Sequence, residues 1–148
     1  MSITNIFGIA GSALNAQITR MNATASNLAN AGTVAGSEAE AFRAKRPVFK
    51  SLVAEQMAGA GTGVGAGGVP YSGGVKIDRM VDDPAPPRMV YQPTSPLANK
   101  DGYVYQSNVS EVSEMVEMMA AARSYQNNVE VINTARQLMS RTLDITKA

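Results

Sequence analysis

Residue types that commonly carry catalysis are thin in this sequence. Its 148 residues include no His and no Cys, which removes the commonest general base, the commonest transition-metal ligand and all thiol chemistry together. Gly63, Gly65 and Gly68 have the spacing of a dinucleotide-binding turn. That motif works only where a strand turns into a helix whose N-terminus receives pyrophosphate, and here more glycine, Pro70 and Tyr71 follow, so the stretch reads as a linker. The carboxylate groupings are Asp82 with Asp83 and the series Glu111, Glu114, Glu117. A catalytic pair needs facing carboxylates in environments that push their pKa values apart. A turn at Asp82 and Asp83, and a solvated first helical turn favoured by the macrodipole, are the simpler readings. Ser124 beside Tyr125 and Ser26 beside Asn27 have no His or Lys at triad-like spacing to activate them. Asn22-Ala23-Thr24 and Asn108-Val109-Ser110 match the glycosylation acceptor pattern, which is short enough to arise by chance. Met115, Met118 and Met119 read as packing between helices, because thioethers fill irregular gaps, rather than as a metal or peptide site. The expectation is a protein with no catalytic residue, metal or cofactor.

Partners are bounded in the same way. Net charge is +1, and Lys and Arg gather only at Arg43, Lys45 and Arg46, so no basic stripe exists for nucleic acid. No run approaches the roughly 18 apolar residues of a membrane span. An interfacial amphipathic helix would want Lys or Arg on its polar face, and the first helical stretch has only Arg20. Ile3 to Leu14 is apolar, but no basic residue precedes it and Asn15 and Gln17 interrupt it, so no cleaved signal peptide is expected.

The elements emerge from periodicity. Phe7, Gly11, Leu14, Ile18, Met21, Ala25 and Leu28 recur at alternating four- and three-residue steps, which predicts a helix from Ser2 or Thr4 to Asn30 with an a/d seam. Its other face carries Asn5, Ser12, Asn15, Gln17, Thr19, Asn22 and Asn27 in place of charge, so that face too is expected to be covered. Asn30 and Gly32 supply the stop, with Gly32 as the left-handed residue. The amides of Asn27 and Asn30 can cap carbonyls and bond a neighbouring chain. The final helix should start with Asn108 as cap and Glu111 reaching back. Met115, Met118, Ala122, Tyr125, Val129, Ile132, Met139 and Leu143 form its seam, broken at Arg136, and Val112, Val116, Met119, Val131 and Leu138 widen the stripe toward a second partner. Arg136, Arg141 and Lys147 near its end suit the macrodipole.

Between the helices, Phe42 to Leu52 is expected to be extended, Gly59 to Gly74 to be linker, and Val75 to Asp82 to be a strand closed by Asp83 and Pro84. Met89 to Tyr91 fits an edge strand, and Asp101-Gly102 a turn into a strand at Val104 and Tyr105. Long helices of this kind are marginal alone, so their ends are expected to fray in a free monomer and to order on assembly.

These segments also carry a resemblance. IAGSALNAQITRMNATASNLANAGT, from Ile9 to Thr33, looks like the N-terminal signature of bacterial flagellar rod, hook and hook-associated proteins, centred on Ser26 to Asn30. EMVEMMAAARSYQNNVEVINTARQLMSRTLDI, from Glu114 to Ile145, resembles their terminal helix. With GGVK at Gly73 to Lys76, DDPAPPRMVY at Asp82 to Tyr91 and DGYVY at Asp101 to Tyr105, the chain is most similar to the short proximal-rod members of the flagellar basal-body rod family. It departs from them at Ser107 and Ser110, where proline and asparagine are usual, and in a longer Gly-rich tract. The resemblance implies a mainly α protein whose long N- and C-terminal helices pack as a coiled-coil hairpin (1–33 and 108–148), with a small, irregular Gly/Pro-rich, β-containing middle (34–107). It further implies a structural subunit of the proximal rod, a helical axial drive shaft that transmits torque in the periplasm. Partners would be copies of itself, other rod subunits and the flagellar type III export apparatus, with no nucleic acid and no membrane insertion. Another rod- or hook-family subunit is the alternative. Subunit packing would fall on Phe7, Leu14, Ile18, Met21, Asn27, Leu28, Asn30, Met115, Met118, Tyr125, Val129, Ile132, Met139 and Leu143.

Overall fold

A computed structural model describes residues 3–52 and 73–146. The elements are helix α1 (Ile3–Ala29), strands β1 (Val34–Ala35), β2 (Lys45–Ser51), β3 (Val75–Asp82), β4 (Arg88–Tyr91) and β5 (Tyr103–Gln106), and helix α2 (Glu111–Thr146). The expected Gly-rich linker lies outside the described residues, apart from Gly73 and Gly74. β2 and β3 form a two-stranded sheet, while β1, β5 and β4 form an antiparallel three-stranded sheet in that order. Pro47 sits within β2, where a two-stranded sheet leaves an open edge that can tolerate its missing N–H. By contacts the chain divides into two compact units: Met1–Thr19, Val48–Arg79 and Ala121–Ala148 form one, and Arg20–Pro47 and Met80–Ala120 form the other.

In the first unit, the buried residues of the helices are alanines: Ala10 and Ala16 of α1, Ala121 and Ala135 of α2. Ser12 ties α1 to the entry of β3, its Oγ donating to Ile9 O at 2.7 Å and accepting from Val75 N at 3.1 Å. Gly74 has φ +131°, and an added Cβ there would stand 3.0 Å from Leu52 Cδ1 and 3.1 Å from Ser12 Oγ, so glycine is required at this approach.

In the second unit, the sheet register pairs Val34 with Gln106 on one side of β5 and Arg88 with the same residue on the other. Val104, on the central strand, is completely buried. The predicted turn is present: Gly102 takes φ +80°, and Asn99 Oδ1 accepts from Asp101 N and Tyr103 N, both at 2.9 Å. A small apolar core of Ala31, Ala44 and Val109, with Phe42 packed against it, sits where α1 ends and α2 begins. Ser107 reinforces this junction, with Oγ donating to Ala31 O at 2.8 Å and N to Thr33 O at 3.1 Å.

The helix ends depart from expectation. Gly32 is not in the left-handed region. Instead α1 tightens as it stops, with Ala31 N donating to Leu28 O, Asn30 Nδ2 to Ser26 O at 2.8 Å, and Thr33 Oγ1 to Asn30 O at 2.7 Å. The loose carbonyls are thus met by side chains and short-range turns, which makes a left-handed residue unnecessary. Asn108 does not cap α2 either. Its Oδ1 accepts from Ala44 N at 2.8 Å and its Nδ2 donates to Ala85 O at 2.8 Å, so it clamps two middle segments ahead of a helix that begins only at Glu111. The last turn of α2 holds no basic residue among those described.

Candidate functional site

Which helical faces the chain covers itself, and which it leaves open, decides what it can bind. On α1 the residues buried within the chain are Ala10, Ala16, Ala23, Thr24 and Asn27. The predicted seam is offset from that line: Ile18 is 40% exposed, Ala25 is exposed, and Phe7, Gly11, Leu14, Met21 and Leu28 are half-buried. On α2, Glu114, Ala121 and Ala135 are buried, and Met118, Tyr125, Val129, Ile132 and Met139 half-buried. Glu114, Met118, Ala121, Tyr125, Asn128, Ile132, Ala135 and Met139 fall at four-three steps along one face. Half of the predicted seam therefore lies on the inward face, and the other half is rotated off it. Met115 and Leu143 are 54% and 55% exposed. The break at Arg136 has a simple cause: the inward residue at that height is Ala135, and Arg136 is exposed.

The methionines divide between the two faces of α2. Met115 and Met119 are mostly exposed and only Met118 is half-buried, so packing inside the chain does not account for the cluster. Val112 and Val116 are exposed beside them. In the unit containing the chain ends, Ile6 of α1 with Val131, Ala135 and Leu138 of α2 lines an open groove of about 420 Å³, together with Asn127, Glu130 and Thr134.

The carboxylates also behave differently from a solvated first turn. Glu111 is exposed, but Glu114 is completely enclosed. Its Oε2 accepts from Asn27 Nδ2 at 3.0 Å, and its Oε1 lies 2.9 Å from Arg46 Nη1 without a linear N–H···O, a charge pair rather than an aligned hydrogen bond. Glu117 pairs with Arg20, the one charge on α1. These two contacts, residue 20 with 117 and residue 27 with 114, run in opposite senses along the helices, so within this unit α1 and α2 meet antiparallel. Asp82 and Asp83 close β3 as expected and reach back across the sheet, to Lys45 Nζ at 3.3 Å and Arg46 Nε at 3.7 Å. No group of His, Cys, Asp and Glu suited to a metal occurs among the described residues.

Asn27 is the site residue whose surroundings are most specific. It is 1% exposed, and both N–H donors are used inside the chain, on Lys45 O and Glu114 Oε2, while its Oδ1 accepts from Lys45 N at 2.8 Å. The side-chain amide of Asn30, by contrast, donates back to its own helix, at Ser26 O. Sequence reasoning missed Glu114, Arg46 and the alanine line. One signal pointed to Glu114 and the alanines: Glu114, Ala121, Asn128 and Ala135 stand at strict heptad spacing.

Residues 7–35 match the family described as flagella basal body rod protein, and residues 100–145 match the C-terminal family of the flagellar basal body rod FlgEFG proteins. Over 145 residues the chain is 47% identical to the flagellar basal-body rod protein FlgC of Yersinia enterocolitica, with 98% of each chain covered. It is 45% identical to FlgC of Salmonella typhimurium, with 98% of each covered. FlgC of Bacillus subtilis is 31% identical over 99% of this chain and 100% of that protein. The chain belongs to the FlgC family of flagellar basal-body rod proteins. The family matches fall on α1 with β1, and on β5 with α2, the segments that hold Ile18, Val112, Met115, Val116, Met119, Val131, Leu138 and Leu143 among the exposed large apolar residues.

Proposed function

We propose that this chain is a structural, non-enzymatic subunit of the proximal rod, built into the helical axial shaft that transmits torque. The observation that carries this reading is the division of side chains on the helices. Small residues are buried within the chain, whereas Ile18, Val112, Met115, Val116, Met119, Val131, Leu138 and Leu143 stand exposed. Apolar surface of that extent on a rod-family protein calls for neighbouring subunits. In this reading residues 1–33 and 108–148 form the assembly domain, a coiled-coil hairpin, and 34–107 an outer segment. Phe7, Leu14, Ile18, Met21, Leu28, Met115, Met118, Tyr125, Val129, Ile132, Met139 and Leu143 pack between subunits. Asn27 and Asn30 serve that packing by holding the end of α1 in place. Neighbours are copies of this chain and other rod subunits, in the periplasm, reached through the flagellar export apparatus. No helix among the described residues is long and apolar enough to cross a membrane, and neither nucleic acid nor a cofactor has a part in the reading.

Met115→Asp tests it. The side chain is exposed in the free chain, so the fold should survive, but a carboxylate enclosed by a neighbour without a partner costs several kcal/mol, on the order of 3 to 5. The variant should be exported and yet be missing from isolated basal bodies. Incorporation at the parent level would remove Met115 from the packing surface and take the central support from this reading.

A further inference from the structure

Glu114 is the largest side chain that the described fold encloses completely. A carboxylate is also among the costliest groups to enclose, unless both its charge and its lone pairs are met. Its two oxygens are answered from different parts of the chain. Oε2 accepts from Asn27 Nδ2 on α1, and Oε1 faces Arg46 Nη1 at 2.9 Å on β2. The amide of Asn27 is itself held by the backbone of Lys45, at 2.8 Å to N and 3.0 Å to O. Arg46 is backed by Asp83, whose own N–H donates to Ala44 O at 2.7 Å. The other nearby charges are engaged elsewhere, Lys45 with Asp82 and Arg20 with Glu117.

We propose that Glu114 is a pairing checkpoint: it stands in the α1–α2 contact so that these helices dock stably only after residues 44–46 have docked and delivered Arg46. Without that segment, closing the helices would enclose a carboxylate with one amide as its partner, and that amide would lack its own partners at Lys45. Water serves the carboxylate better, so the open arrangement wins. Once 44–46 is in place, the cation meets the charge and the Lys45 backbone orients the amide in one step. The middle segment is therefore the key to helix pairing and not an appendage to it. An apolar residue at position 114 would let the helices close alone, in any register their stripes allow. This inference stands apart from the rod assignment, since it concerns a single chain.

The test uses the full-length chain, monomeric and dilute, with hydrogen exchange read over residues 24–29 and 112–118 in the parent, Arg46→Met, Glu114→Gln and the double variant. Arg46→Met should speed exchange in both segments by about tenfold or more, a value kept low because the Arg46 side chain is part-exposed. In the double variant a neutral amide needs no cation, so exchange should return to within about threefold of Glu114→Gln. Pulse labelling during refolding should show 24–29 and 112–118 of the parent gaining protection with 44–46 and not ahead of it. Parent helices protected before 44–46, an unaffected Arg46→Met, or a double variant as labile as Arg46→Met would each overturn the proposal. If Arg46→Met fails to fold at all, recovery of the fold in the double variant upholds the checkpoint, and equal collapse refutes it.

Discussion

Replacing Asn27 by Ala sets two effects of opposite sign against each other, and the structure says which wins. In an exposed helix the change would be mildly favourable, because Ala exceeds Asn in helix propensity by roughly 0.6 kcal/mol. Asn27 is buried, however, and three hydrogen bonds end on its amide. The two to the backbone of Lys45 are neutral and part-buried, so their loss weighs less. The third is different: Glu114 is wholly enclosed and loses its one aligned donor. A hydrogen bond to a charged group contributes about 1.5 to 3 kcal/mol, and the truncation adds a small void worth roughly 1. After the propensity gain, Asn27→Ala should destabilise the monomer by about 2 to 3 kcal/mol, a large share of an ordinary folding free energy. Urea unfolding of the full-length monomer, followed by circular dichroism, reads this directly. With a slope of about 1 to 3 kcal/mol per molar, the midpoint should fall by roughly 1 M or more. An unchanged or raised midpoint would show that Asn27 is only a helix terminator, and would undo the reasoning about the junction.

Gly102→Ala should destabilise the second unit by about 1 to 3 kcal/mol, because φ is +80° and the new Cβ would stand 2.8 Å from Tyr91 Cε2. The Tyr91–Tyr103 contact, now edge-on with centroids 5.2 Å apart, should change with it, and a tyrosine near-ultraviolet signal identical to the parent's would refute this. Ala121→Leu adds bulk to a completely buried position and should cost about 1 to 3 kcal/mol of stability. Thermal melting checks it against Val131→Leu, an exposed control expected to change little, and equal melting temperatures would mean that the heptad line of α2 is not a packed face.

Much of the architecture was legible because its signals are local. The α1 helix, the strand from Val75, the Met89 to Tyr91 edge and the Gly102 turn each depend on residues within one element or one turn, and each element stands where periodicity or turn chemistry puts it. What was not legible depends on residues far apart in sequence. Asn108 has the type and spacing of a cap, but Ala44 and Ala85 compete for its amide and win. Glu114 has the place of a dipole-favoured glutamate, and Asn27 and Arg46, both distant in sequence, are what let it be buried. The seams were displaced for a related reason. Weighing residues by hydrophobicity follows the large side chains, whereas the buried line passes through Ala16, Ala23, Ala121 and Ala135.

That displacement bears on assembly. Small side chains at a helix contact let axes approach to about 8 Å, but each removes little apolar area from water. Specificity in the second unit then rests on polar groups that only one arrangement satisfies: Asn27, Glu114 and Arg46, the Asn108 clamp and the Ser107 bonds. The large side chains are free of that task. Met115, Met119, Leu138 and Leu143 each keep most of their area exposed, so each retains much of the roughly 1.5 to 3 kcal/mol available when such a side chain is covered. A protein whose own fold is specified by polar contacts and whose apolar surface is held in reserve has further stability to gain from the neighbours proposed for it. For a rod-family chain this separates two requirements. The polar junction fixes the shape that is presented, and in the proposed assembly the outward apolar residues add stability when other subunits enclose them.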